Sequence, residues 1–203
     1  MTTRTLNPTL TASSATTARA IAATLLAALG VITSGCGSDA GPATPQDSTP
    51  ECTGGVLEAD LQAEPLSGPG VDPATGALRP APEGSSYTIS STYGIPRPGD
   101  AVMQRYVQMF GAIQAQLASQ RGLVAMQLAQ SPSCGSGRTL AVWESTEAMY
   151  DFVMSPAHLE AMNAADELLQ PNYAVTHWET ARADEMTLEE GVRRIKTSEA
   201  AAR

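Results

Sequence analysis

Aromatic side chains are scarce in this chain of 203 residues: two Trp, two Phe and five Tyr. All of them fall between Tyr87 and Trp178, so a core built on large apolar groups has to lie there. That leaves one modest domain and excludes a large multidomain enzyme. Basic residues are few, 12 against 21 acidic, for a formal charge of -9. Nucleic acid, whose phosphates demand basic patches, is excluded as a partner. Cysteine is limited to Cys36, Cys52 and Cys134, with no CxxC and no Cys/His cluster, so no metal site is expected. No GxGxxG follows a strand and there is no GxSxG elbow, which removes a dinucleotide site and a hydrolase nucleophile.

What is present divides the chain into four parts. Residues 1–35 hold two arginines, Arg4 and Arg19, and no acid. The uncharged run Ala20–Ile32 is too short to cross a hydrocarbon layer at about 1.5 Å per residue. A basic start followed by a short apolar run reads as a secretion signal. Thr33-Ser34-Gly35-Cys36 then resembles the lipobox of bacterial lipoproteins, although Leu is usual where Thr33 stands. The resemblance implies that Cys36 is acylated. The chain would then be a lipid-anchored lipoprotein facing the periplasm or cell exterior. Cys52 and Cys134 remain, either as a disulfide, which export permits, or as separate thiols.

Residues 36–84 are rich in Pro, Gly, Ser and Thr. Eight of the 14 prolines lie between Pro42 and Pro82, which predicts a semi-extended tether. From residue 85 to 181 the pattern alternates between strands and helices. Tyr87–Tyr93 reads as a strand. Met103, Tyr106, Phe110, Ile113 and Leu117 mark one face of a helix after Asp100, a candidate cap. Leu123–Ala129 and Thr139–Glu144 form a hairpin. Ser145 opens a second helix, which Ser155-Pro156 interrupts, and Tyr173–Glu179 is the last strand. The order is β-α-β-β-α-β, an α+β ferredoxin-like arrangement with helices on one face of an antiparallel sheet. The other face then needs a cover. Residues 182–203 predict a solvated, charged helical tail.

Trp143-Glu144-Ser145-Thr146-Glu147-Ala148, with Phe152 and Ser155-Pro156-Ala157-His158, resembles the signature of the antibiotic biosynthesis monooxygenase family. The resemblance runs from about Ser85 to Ala181. It implies a homodimer whose two sheets close into an α/β barrel, with a pocket for a small hydrophobic ligand between sheet and helices in each subunit. It also implies cofactor-free oxidation of a phenolic or quinol substrate, with His158 as base and Trp143 and Tyr93 shaping the cavity. Phe110, Phe152 and His177 would complete the lining. Haem-degrading members of this group pair an Asn on the first strand with a Trp and a His. Trp143 and His158 match two of these, whereas Thr88, Ser90 and Thr92 occupy the first strand. Three readings therefore stand: a cofactor-free monooxygenase, a binding or structural module without turnover, and a haem binder through His158.

Overall fold

The computed structural model describes residues 51–201. The leader, Cys36 and the first part of the tether lie outside the described residues. In chain order the elements are β1 (Gln62–Ala63), β2 (Tyr87–Gly94), α1 (Asp100–Leu117), β3 (Leu123–Ser131) and β4 (Ser136–Trp143). They continue with α2 (Thr146–Val153), α3 (Pro156–Leu168), β5 (Ala174–Thr180) and α4 (Leu188–Ala201). One sheet runs β1-β3-β4-β2-β5, and every neighbouring pair is antiparallel. From β2 to β5 this is the expected ferredoxin-like fold, with its second helix broken into α2 and α3.

Local chemistry sets these boundaries. The Ser145 side chain accepts from the Ala148 N–H at 3.1 Å, and Ser155 accepts from the His158 N–H at 3.4 Å. Each satisfies a donor that the helix start leaves unpaired. Pro156 follows the second cap, where its missing N–H costs nothing. Asp100 is not the cap of α1 but its first residue, where its carboxylate meets the positive end of the helix dipole. Gly122, at φ 77°, turns the chain into β3 with a backbone that only glycine adopts freely.

Strand alternation gives the sheet two different faces. One carries Thr88, Ser90, Thr92 and Trp143 toward α1, α2 and α3. The opposite face carries Tyr87, Ile89, Tyr93, Arg138, Leu140 and Val142, and the chain itself covers it. Leu61, Leu66, Val71 and Leu78 of the segment before β2 pack there, with Met186 and Leu188 from the far end of the chain. Alpha-4 adds Val192 and Ile195. Gly191 lets the helix lie against β2, since a Cβ there would stand 2.5 Å from the Ser91 hydroxyl oxygen.

Two sequence expectations need correction. From Glu51 onward the tether is an ordered arm. It runs along the edge of β3 with backbone bonds from Glu64 to Leu128, between Ser67 and Met126, and from Gly70 to Val124. The charged tail is a packed helix, because Leu188, Val192 and Ile195 recur on one side while Glu189 and Arg193 face water. The outer face of the sheet, through which the expected homodimeric barrel would close, carries the arm and α4 of the same chain.

Few anchors hold the arm. Cys52 and Cys134 form a disulfide across 82 positions of sequence. Arg138 on β4 is buried and pairs with buried Glu58 at 2.7 Å. Its remaining donors reach the carbonyls of Gly54, Thr53 and Val56. Ser136 donates to the other Glu58 oxygen. Asp60 accepts from the Ser131 hydroxyl at 2.6 Å and the Ser133 N–H at 2.8 Å, which together hold its carboxyl below the usual range.

Candidate binding site

The residues expected to form an enclosed pocket do not meet in one. Trp143, at the end of β4, has 0% of its surface accessible. A cavity able to hold even one water would leave accessible area on its wall, so no such cavity touches this indole. Its N–H donates to the Ser90 hydroxyl at 2.9 Å. Phe152 stacks on Trp143 at 5.2 Å, and the His158 ring lies 4.7 Å beyond Phe152. Leu123 and Met149 close the cluster. Trp143, Phe152 and His158 are neighbours, with Trp143 and Phe152 buried in the core.

His158 is half-buried. Its Nδ1 lies 3.2 Å from the Val153 carbonyl. A carbonyl only accepts, so Nδ1 carries the hydrogen and Nε2 the lone pair. Burial pulls the imidazole below its ordinary pKa, against the opposing pull of that carbonyl. The ring is therefore neutral at pH 7.

Tyr93 stands on the other side of the sheet and cannot share a pocket with His158. The Arg138 guanidinium lies 4.5 Å from its ring centre. Burial, with Glu58 nearby, pushes its phenol up to about 12. Phe110 stays on α1, stacked against Tyr106 at 6.2 Å. A haem does not fit these residues: Trp143 offers no surface, and Ser90, where a polar partner would be wanted, is committed to the indole.

His177 belongs to a different arrangement. On β5 the side chains facing the helix layer, Val175, His177 and Glu179, are all exposed, Val175 at 69%. Alpha-2 runs beside them. Thr146 donates to Glu179 at 2.8 Å, and Tyr150 meets His177 edge-on at 6.4 Å. Met154, one turn further on, is 63% exposed. The result is an open ledge with β5 as floor and α2 as wall. It continues inward over half-buried Ser90 and Thr92. Sequence reasoning missed Tyr150, Met154 and Val175. The i, i+4 spacing of the first two, with alternation along β5, was the available signal.

Two further depressions, of about 510 and 330 Å³, lie on the α4 side. The larger is lined by Leu57, Leu61, Leu66 and Leu188, the smaller by Thr176, Arg193 and Thr197. Among the described residues no group of three His, Cys, Asp or Glu is placed to hold a metal. No described helix is long and apolar enough to cross a membrane.

The strand order and helix placement define the α+β ferredoxin-like class. No family model matches the chain, and no curated protein does. Solved structures do resemble it over less than half its length. Rv0793 from Mycobacterium tuberculosis is 22% identical, covering 46% of this chain and 93% of its own, with a TM-score of 0.41. A mutant of SnoaB, a cofactor-independent oxygenase from Streptomyces nogalater, is 17% identical, covering 48% and 95%, with a TM-score of 0.40. SO0527 from Shewanella oneidensis is 8% identical, covering 47% and 92%, with a TM-score of 0.41. At these identities the likeness concerns the fold and says nothing of chemistry.

Proposed function

We propose that this chain is an exported, lipid-anchored and monomeric binding module that uses a ferredoxin-like scaffold without turnover. The carrying observation is the inaccessibility of Trp143. Oxidation by dioxygen needs a cavity that excludes water around an electron-rich substrate. The region where such a cavity was expected is packed aromatic core, and the accessible surface beside it is the open ledge along β5. Export is supported by the leader pattern and by the Cys52–Cys134 disulfide, a bond typical of oxidising compartments. Attachment to a membrane would rest on the acylated Cys36, since residues 36–203, with 10 basic and 21 acidic groups, carry -11 and are repelled by anionic lipid.

One observation favours a second reading, a cofactor-free oxygenase acting on a quinol: His158 is neutral with its Nε2 lone pair free of the Val153 contact. Oxygen uptake with hydroquinones separates the two. Binding without chemistry predicts background uptake, equal in the native chain and in His158→Ala. Uptake above background that His158→Ala abolishes would establish the oxygenase instead.

A further inference from the structure

The two edges of the sheet are treated differently. Beta-3 is sheltered by β1 and by the arm, which bonds to it at Leu128, Met126 and Val124. Beta-5 is the last strand on the other side, paired only with β2 among the described residues. Edge strands are normally blunted with Lys, Pro, a bulge or a covering segment. Ala174–Thr180 contains neither Lys nor Pro, and its pairing with β2 runs without a register shift. An unpaired edge of this kind offers alternate N–H and C=O groups to another extended chain.

The surroundings select the occupant. The ledge is apolar at Val175, Tyr150 and Met154. Its remaining charged groups are acidic: Glu179 on the floor, with exposed Glu147 and Asp151 on α2. Neither Glu147 nor Asp151 has an ion-pair partner among the described residues. A second copy of this chain would bring the same carboxylates against themselves. We propose that β5 captures an extended cationic segment of another protein by strand addition. Backbone bonds form along the edge. The side chains on the ledge face are Lys or Arg, whose stems lie over Val175 and Tyr150 while their charges meet Glu179, Glu147 and Asp151, and the intervening apolar side chains fall on the opposite face, beside Thr176 and Trp178. This deepens the binding-module reading and rests on it.

The probe is a fluorescently labelled, blocked peptide of alternating Arg and Val. It is titrated into the exported chain carrying Cys36→Ser, with anisotropy as the readout. Binding is expected to weaken with salt and to be absent for an alternating Glu and Val peptide. Val175→Lys, a change at an exposed site, should weaken it by about tenfold, or 1.4 kcal/mol. Hydrogen exchange should show new protection confined to amides of β5. No binding of the Arg–Val peptide overturns the inference. So does binding that spares the β5 amides or survives Val175→Lys, or a peptide-free dimer paired through β5. The binding-module reading fails separately, by His158-dependent oxygen uptake, whichever way the peptide behaves.

Discussion

Individual side chains in this molecule show how local chemistry decides a role that composition leaves open. Tyr93 is expected in the pocket on the family resemblance alone. Its register with Arg138 across β4 puts it on the outer face, where its ring lies under that guanidinium. The ring is well used and the hydroxyl is not: it is buried with no hydrogen-bond partner among the described residues. A buried unpaired hydroxyl costs about 1–3 kcal/mol. Tyr93→Phe keeps the ring and removes the orphan, so it should raise the unfolding free energy by about 1 kcal/mol in denaturant titration. A fall in stability would show that the hydroxyl is bonded after all. His158 supplies a pH test. Its native pKa is lowered by burial, so below about pH 6.5 the unfolded chain takes up the proton first. Stability should therefore decline as pH falls from 6.5 toward the native value, and His158→Phe should flatten that slope in pH-dependent melts. His177 is exposed and shows what a sequence cannot say: its strand was legible, the absence of a helix above it was not.

At the scale of elements, the strands and broken helix of residues 85–181 were readable because their signals are local. Ser145 and Ser155 sit one helix start apart, and each caps as its residue type suggests. The arm and α4 were not readable, and the reason is physical. A segment poor in large apolar groups cannot order itself, but it can be ordered by partners far away in sequence. Here those partners are Cys134, Arg138 and the free edge of β3. Alpha-4 did carry a legible stripe at Leu188, Val192 and Ile195, masked by the charged residues between them. Closing a loop of 82 residues removes chain entropy worth about 4–5 kcal/mol. The Glu58–Arg138 pair adds a penalty of about 3–5 kcal/mol for removing either partner alone. Cys52→Ser with Cys134→Ser should lower global stability by several kcal/mol, near the upper end of about 2–5. Limited proteolysis should then cut first within residues 51–61. Cleavage there that is equally slow with and without the bridge would contradict the anchoring role.

At the scale of the whole molecule, segments before β2 and after β5 lie over the second face of the sheet. A ferredoxin-like sheet with helices on one side leaves an apolar face that must be covered. In this chain the arm enters before β2 and α4 follows β5, and both fold back over Ile89, Leu140, Val142 and Trp178. Each fully buried Leu, Val or Ile side chain on that face contributes about 1.5–3 kcal/mol, which a second copy could gain only by displacing the cover. Sedimentation equilibrium of the exported chain carrying Cys36→Ser, with its disulfide intact, tests this most directly. A self-sealed sheet predicts a single-chain mass at every loading concentration up to about 100 µM. A dimer that persists at micromolar concentration, with α4 amides exchanging freely with solvent, would contradict it.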